Sequence, residues 1–406
     1  MNNNLKVLIL GSDANAYYMA RCTHEAYNIK AHLIAKAPLA FTKDSSILTI
    51  EYFDDLWDED KCISHINDYA NKYNNYNILL VSSNETYTSF IANNHKKLNK
   101  NLYYTKQDIN IINTLINKEL FYKTYKDSSL DFPKTYYYDV KKDTKLPDLG
   151  FPLVIKPANV VKYNHVTFKD KHKIYKVNNI DEYKEIINNI KNSDYDDKLI
   201  IQEFIDGDDS YLHDAVCYVD SKGIVKVLSF AEIGLQERTK SMVGNAACLI
   251  NGYSSVASKK SINDMKKNIV KFMESLKMNG FYEFDMKYDK KDKKFKVLEI
   301  NARQGRCSYY ISPLGANLIR IMVDDLIYKK NLKYLELNDE LLLSFVPKSV
   351  VKKYINNEEF KNEALRLWNK RVSPMQYNKD ISIIRRLRVL KRIYNYNKEY
   401  KNSYWK

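Results

Sequence analysis

The sequence has little glycine and little cysteine, and it has no long apolar run. Only 10 of its 406 residues are glycine, so each glycine is expected to hold a demanding backbone position. The five cysteines are scattered, without a CxxC pair or a histidine spacing typical of zinc, which predicts free thiols in a reducing cytoplasm. No stretch approaches the roughly 20 apolar residues of a membrane span, and the run Val7 to Leu10 is too short for a signal peptide.

Positive charge is concentrated near one end of the chain. The formal net charge is +15, and residues 346–406 hold 16 Lys or Arg against 5 Asp or Glu, an excess of 11. This distribution predicts a basic terminal module and argues against a nucleic-acid-binding protein. A basic helix predicted over 381–396 has three open interpretations. It docks on the body, binds an anionic substrate such as a nucleotide-linked cell-wall precursor, or makes peripheral contact with the inner face of the membrane.

Residues 1–107 alternate short apolar strands with helical patterns. This alternation predicts a parallel, Rossmann-like sheet with crossover helices. Ligands of such sheets lie beyond the carboxyl ends of the strands, where Ser12, Asp13 and Glu85 are found. These three residues are therefore candidate substrate contacts, and the alternative is that Ser12 and Asp13 only cap the next helix.

From residue 108 onward the predicted strands are often adjacent, which is typical of an α+β region. We divide this part into 108–200, an antiparallel lobe over 201–330, and a basic, mainly helical extension over 331–406. Helices are predicted near 109–127, 181–192, 259–278 and 313–330. For the last of these, Ser312 is the expected N-cap and Pro313 the first helical residue.

Two strands, Phe281 to Tyr288 and Phe295 to Asn301, flank a polar turn and predict a β-hairpin. The register that matches its apolar face pairs Phe284 with Ile300, Met286 with Leu298, Asp285 with Glu299, and Glu283 with Asn301. Like charges opposite each other destabilise a hairpin, so the pairing of Asp285 with Glu299 predicts a divalent cation, with Asn301 as a third ligand. The alternative is a solvated face whose acids are neutralised by Lys287 and Arg303.

Two further segments point to a nucleotide. Lys156 ends the apolar strand of "FPLVIKP", where it is either a snorkelling residue or a cation aimed into a cleft. The segment "LIIQEFIDGDDS" can offer backbone groups to an adenine and acids to ribose hydroxyls. Each signal alone is weak.

Taken in order, five segments resemble the ATP-grasp superfamily: "NKELFYKTY", "FPLVIKP", "IIQEFIDGDDS", "GFYEFDMKYD" and "VLEINARQGR". More narrowly, "INARQGRCSYYISPLGANLIRIMVDDLI", "VGNAA" at Val243 to Ala247 and the basic end of the sequence are similar to the D-aspartate ligase group of carboxylate–amine ligases. The resemblance implies an ATP-grasp fold, in which 108–200 is a lid subdomain and 201–330 carries the metal site.

The resemblance also implies ATP and Mg²⁺ as cofactors, with two metal ions and Mn²⁺ as an alternative metal. The residues it implies are Lys118 and Lys156 on the phosphates, Gln202, Glu203, Phe204 and Ile205 as the adenine hinge, Asp209 on the ribose, Asp285, Glu299 and Asn301 on the metal, and Arg303 on the transferred phosphate. The sequence departs from the superfamily at 158–168, which has no glycine. There the loop either closes over the phosphates through Lys162 or Asn164 or moves differently, and no role is assigned to it. It also departs at Gln202, where several relatives carry glutamate.

The implied reaction activates the carboxylate of an acidic amino acid as an acyl phosphate, with Lys156 and Arg303 as catalytic residues. A lysine side-chain amine of a peptidoglycan precursor then displaces phosphate. Gly305, Arg306 and Ser308 are candidate contacts of a substrate carboxylate or phosphate, through a predicted helix N-terminus, and the alternative is a structural turn ahead of an N-cap. The alternatives are a ligase making another amide or dipeptide, and a non-catalytic nucleotide-binding or membrane-associated protein. The sequence predicts no oligomeric state.

Overall fold

The computed structural model describes residues 4–145, 150–158, 160–172, 174–238 and 244–402, and its N-terminal part is a parallel sheet. The strands are β1 (Leu5–Leu10), β2 (Ala31–Ala35), β3 (Leu48–Tyr52), β4 (Asn77–Ser82) and β5 (Leu102–Tyr103), and the helices are α1 (Ala14–Tyr27), α2 (Glu59–Lys72) and α3 (Glu85–Asn94). All five strands are parallel, in the order β3-β2-β1-β4-β5. The predicted Rossmann-like sheet is therefore confirmed.

The middle of the chain forms a small antiparallel sheet. Its strands are β6 (Thr135–Asp139), β7 (Leu153–Pro157), β8 (Tyr175–Val177) and β9 (Lys198–Glu203), and the neighbouring helices are α4 (Ile109–Ile116), α5 (Lys118–Thr124), α6 (Val160–His165) and α7 (Ile180–Lys191). The helix expected over 109–127 is two helices. Asn117 interrupts it, because its side chain accepts hydrogen bonds from the N–H groups of Glu119 and Leu120 and so caps α5. This break places Lys118 in the first turn of α5.

The glycine-free segment 158–168 contains the short helix α6. Lys162 lies on this helix and pairs with Asp196 and Asp197, 3.4 and 3.5 Å away. The side chain of Asn164, the residue Asn159 and the residue Val243 of the "VGNAA" segment lie outside the described residues.

The largest sheet has eight strands and carries most of the C-terminal half. They are β10 (Leu212–Val219), β11 (Val225–Ser229), β12 (Ala231–Gln236), β13 (Ala246–Asn251), β14 (Gly280–Asp289), β15 (Lys294–Asn301), β16 (Leu335–Leu337) and β17 (Leu341–Ser344). The path is β15-β14-β10-β12-β13-β17, with β11 between β10 and β16. The described helices in this half are α8 (Lys259–Leu276), α9 (Leu318–Met322), α10 (Lys348–Tyr354), α11 (Glu358–Arg366) and α12 (Ile383–Lys401).

The prediction of a helix over 313–330 is wrong at its start. A 3-10 turn, Ser308–Ile311, comes first, and α9 begins at Leu318 with Asn317 as its N-cap. Gly315 separates the two with a φ of +100°, which a right-handed helix does not allow. After α9 the chain continues as a π-helical turn, Val323–Ile327.

The described residues of the extension, 331–402, are part of the body. The extension is less helical than predicted, because β16 and β17 join the large sheet. Helix α12 packs with one side against the body, where Val389, Tyr396 and Tyr400 are buried in the same apolar cluster as residues of α1 and β1. Ser382 caps this helix, whose end lies at Lys401.

Candidate active site at the β14–β15 hairpin

The hairpin of β14 and β15 has the predicted register on its polar side. Asp285 lies opposite Glu299 and Glu283 opposite Asn301. Toward the turn the prediction fails, because Met286 lies opposite Val297 rather than Leu298. Leu298 is the extra residue of a bulge, and its carbonyl accepts a hydrogen bond of 2.8 Å from the Tyr122 hydroxyl.

The polar side of the hairpin is a cluster of oxygen atoms, in which Glu283 and Asn301 are buried and Asp285 and Glu299 are half-buried. Asn301 Nδ2 donates to Asp285 Oδ2 at 3.3 Å and approaches Glu283 Oε2 at 3.4 Å. Burial raises the pKa of Asp285 well above its usual value, and the charges of Glu283 and Glu299 add to the effect. Such a carboxylate keeps its charge only beside a cation.

Two lysines approach the hairpin acids from other elements. The Lys118 ammonium contacts Glu299 from α5. Burial alone would raise the pKa of Glu299, but Lys118 lowers it overall. Lys156, the penultimate residue of β7, has its Nζ 5.5 Å from the centre of the Tyr122 ring, and burial followed by repulsion from Lys118 holds its pKa well below the usual value. The two lysines make a basic site that an anionic ligand would stabilise.

Arg303 joins the hairpin to the parallel sheet. Its Nη2 donates to Glu85 Oε1 at 3.0 Å and its Nη1 to the Gln304 carbonyl at 3.0 Å, while its Nε is buried without a hydrogen-bond partner among the described residues. Asp13 caps α1 through Oδ1, and its Oδ2 accepts from Ser83 Oγ at 3.1 Å. Burial raises the pKa of Asp13, although the Arg303 charge opposes this. Asp13, Glu85 and Arg303 thus meet at the strand ends.

Ser12 forms hydrogen bonds with the loop beside this edge of the sheet. Its hydroxyl donates to the Ala37 carbonyl at 2.8 Å, and its own carbonyl accepts from the Thr42 hydroxyl at 2.7 Å. Asp13, and not Ser12, provides the N-cap of α1.

The segment predicted as an adenine hinge follows β9. Gln202 is buried, and its Nε2 donates to Thr135 Oγ1 at 2.7 Å. Glu203 Oε1 accepts from the Lys134 N–H at 2.9 Å, and the Phe204 N–H donates to the Pro152 carbonyl at 3.1 Å. These bonds fix the segment between β6 and β7.

The residues after the hinge connect to the hairpin. Ile205 is buried, and Asp209 Oδ2 accepts from the Gln236 N–H at 2.9 Å. Lys287 of β14 donates to the Gly207 carbonyl at 3.0 Å. The predicted alternative gave Lys287 the role of neutralising the hairpin acids, but its hydrogen bond is to the segment after the hinge.

The segment after Arg303 is folded differently from the prediction. No helix begins there, and Gly305 donates its N–H to Ser308 Oγ at 2.8 Å. A side chain at Gly305 would collide with the Glu283 carboxylate. The buried Arg306 donates through Nη2 to Glu237 Oε1 at 2.6 Å, and its Nη2 lies 3.4 Å from the Tyr396 hydroxyl.

Sequence reasoning missed a second buried acid cluster next to the hairpin. The Tyr310 hydroxyl donates to Asp214 Oδ1 at 2.8 Å, and Cys307 Sγ donates to Glu283 Oε1 at 3.1 Å. Burial, reinforced by Asp285, raises the pKa of Asp214 to about 7, and burial with the Asp214 charge raises that of Glu283 to about 8. The predicted pairing already placed Glu283 on the polar face, whereas no sequence signal singles out Asp214.

No family model matches the chain, but a curated protein and solved structures do. The chain is similar to D-aspartate ligase of Enterococcus faecium (strain Aus0004), with 29% identity over 99% of this chain and 97% of that protein. The matched region includes the hairpin, Lys118, Lys156 and α12. The chain has the ATP-grasp fold.

Two structural neighbours show this fold. L-amino acid ligase from Bacillus licheniformis aligns with a TM-score of 0.57 at 16% identity, over 80% of this chain and 75% of that one. N5-carboxyaminoimidazole synthetase from Staphylococcus aureus, in complex with ADP, aligns with a TM-score of 0.61 at 12% identity, over 88% and 86%. The predicted fold class is thereby confirmed.

Proposed function

We propose that the ligase uses ATP to activate the carboxylate of D-aspartate and joins it to a lysine side-chain amine of a peptidoglycan precursor. Similarity to the E. faecium D-aspartate ligase over 99% of the chain is the observation that carries this proposal. The site supports it through the positions of its charges. Acids that could hold a cation, lysines that could hold phosphates, and an arginine beside two further acids all lie around one hairpin.

The hairpin acids suit a divalent cation. Asp285, Glu299 and Asn301 offer two carboxylates and an amide oxygen, the ligand types that Mg²⁺ accepts. When bound there, Mg²⁺ would neutralise phosphate charge during transfer. The raised pKa of Asp285 fits this assignment, because burial and the charges of Glu283 and Glu299 outweigh those of Lys118 and Arg303, and Asp285 forms no ion pair among the described residues.

The phosphates of ATP would lie between Lys118 and Lys156. Lys118 would exchange its contact with Glu299 for phosphate oxygens, and phosphate charge would raise the low pKa of the buried Lys156. The segment Gln202–Ile205 would border the adenine and Asp209 the ribose.

The reaction would proceed in two displacements. A carboxylate oxygen of the amino acid attacks the γ-phosphorus, the bond to the β–γ bridging oxygen breaks, and ADP leaves with that oxygen. The amine then attacks the acyl carbon, phosphate leaves with the acyl oxygen, and the amine loses a proton. Arg303 would stabilise the charge on the transferred phosphoryl group, a role that requires positioning and charge but no nucleophilic side chain.

The acidic amino acid would bind where the strand ends meet Arg303. Asp13 and Glu85 suit an ammonium group, and the unpartnered Nε of Arg303 suits a carboxylate. A small substrate that carries both an ammonium group and a carboxylate can make both contacts.

A substrate screen tests the proposal. The ligase is incubated with ATP, Mg²⁺ and each D- or L-amino acid, with and without a lysine-containing muropeptide, and ADP and phosphate are measured. We expect release with D-aspartate that depends on the acceptor, and a hydroxamate when hydroxylamine replaces the acceptor. Release with a neutral amino acid pair would indicate a dipeptide ligase instead, and no release with any pair would contradict the enzymatic proposal.

A further inference from the structure

The side of α12 that faces away from the body is apolar. The side chains of Ile383, Ile384, Leu387, Leu390 and Tyr394 are between 54% and 77% exposed, and we call these five residues the apolar face. Their spacing of three and four residues places them along one side of the helix. The opposite side holds the buried residues Arg385, Val389, Tyr396 and Tyr400.

Such exposure is unusual for this protein. Among the described residues, the large apolar side chains that are more than 60% exposed all lie between Ile381 and Tyr394, except Trp57. A helix that packs on a body normally presents polar residues to solvent. A contiguous exposed apolar face marks a contact surface.

Positive charge accompanies the apolar face. Residues 381–402 contain seven Lys or Arg and a single acid, Glu399. Lys391 and Lys398 are exposed and, at about 100° per residue, fall on the same side of the helix as Leu387 and Tyr394. A partner that binds this surface therefore needs both apolar and anionic groups.

We propose that α12 binds the ligase to an anionic lipid bilayer, with the apolar face at the boundary of the acyl chains and the lysines among the headgroup phosphates. The geometry agrees with a helix that lies flat. Its 19 residues extend about 28 Å, and they are too polar to span. Among the described residues, no helix has the length and apolar character needed to cross a membrane.

The fold makes this contact available without rearrangement. Tyr396 donates to Glu237 at 2.8 Å and Tyr400 to the Gln236 carbonyl at 2.7 Å, so the buried side of α12 is fixed to the end of β12. A second copy of the chain suits the face less well than lipid does. A twofold contact would bring the exposed Lys391 and Lys398 of both copies to one interface, and like charges repel.

Vesicle sedimentation of the full-length ligase tests the proposal. Vesicles of phosphatidylcholine with phosphatidylglycerol are compared with vesicles of phosphatidylcholine alone, at low and high salt. We expect binding to the anionic vesicles, weakened by salt, and a loss of about tenfold or more in partition coefficient for the double variant Leu387→Glu/Leu390→Glu. The matched control, Ile174→Glu/Ile224→Glu, changes two exposed isoleucines outside the tail and should bind as the unmodified protein does.

Charge and association state are tested separately. Lys391→Glu/Lys398→Glu should also weaken binding to anionic vesicles, whereas Lys352→Glu/Lys353→Glu on α10 should change it little. In lipid-free buffer, all four variants should keep the ADP release of the unmodified ligase, which shows that they fold. Absence of binding to anionic vesicles would overturn the proposal, as would equal binding to both kinds of vesicle. A dimer that dissociates on Leu387→Glu/Leu390→Glu would also overturn it, since a second copy would then cover the face.

Discussion

The β14–β15 hairpin and helix α12 both mix apolar and charged residues, and they place them in opposite ways. In the hairpin, Phe284 and Met286 face the core, while on the other side Glu283 is buried and Asp285 is half-buried. In α12, Leu387 and other apolar residues point outward, although Arg385 is buried. Charged side chains that are clustered below the surface indicate a site for a small ion. An apolar surface that stays exposed indicates a contact with a much larger partner, such as a bilayer.

The largest expected effect comes from removing a charge from the hairpin. Glu299→Gln should lower the turnover of the proposed reaction by about a thousandfold, because it removes a candidate metal ligand and the partner of Lys118. ADP release under saturating substrates measures this. Asp292→Asn in the turn of the same hairpin is the matched control and should keep nearly full activity. Equal activity of both variants would remove the distinction between the site and the rest of the hairpin.

The hairpin was the part that sequence could predict best. Alternation with a period of two allows one register that keeps Phe284 and Ile300 on the same side, so the pairing of Asp285 with Glu299 followed. The bulge at Leu298 could not be foreseen, since it depends on a hydrogen bond from Tyr122, a residue 176 positions away.

Other parts of the site depend on contacts that no local pattern contains. Asp214 comes from a strand whose residues are nearly all buried, so no alternation marks its side chain. The partner of Arg306 is Glu237, 69 positions away. For α12, the sequence predicted the helix and its charge, but not which side packs, because both sides contain apolar residues.

A smaller effect, on the stability of the fold, is expected where α12 contacts Glu237 and Arg306. Tyr396→Phe removes the hydroxyl that donates to Glu237, the carboxylate that holds Arg306. It should lower the free energy of unfolding by about 1–2 kcal/mol, because a buried acceptor loses a partner. Denaturant unfolding measures the change. Tyr394→Phe, on the exposed side of the same helix, should change stability by less than about 0.5 kcal/mol, and a loss as large as that of Tyr396→Phe would contradict the two-sided account of α12.

The smallest predicted effect is a pH dependence of stability from the buried acids. The folded chain holds a proton on Asp214 up to a pKa of about 7, whereas the unfolded chain loses it near pH 4. Between these values the folded state binds more protons, so its stability should fall as pH rises from about 4 to about 7. Asp214→Asn should flatten this part of the curve of Tm against pH, measured without Mg²⁺. A slope unchanged in the variant would assign the dependence to other groups.

Calorimetric titration of ADP tests the central claim most directly, which is that the hairpin acids hold a metal–nucleotide complex. We predict that the unmodified protein binds ADP tightly only with Mg²⁺, and that Asp285→Asn removes the effect of Mg²⁺ while Asp292→Asn preserves it. ADP binding that is equally strong with and without Mg²⁺, or that is unchanged in Asp285→Asn, would contradict the claim.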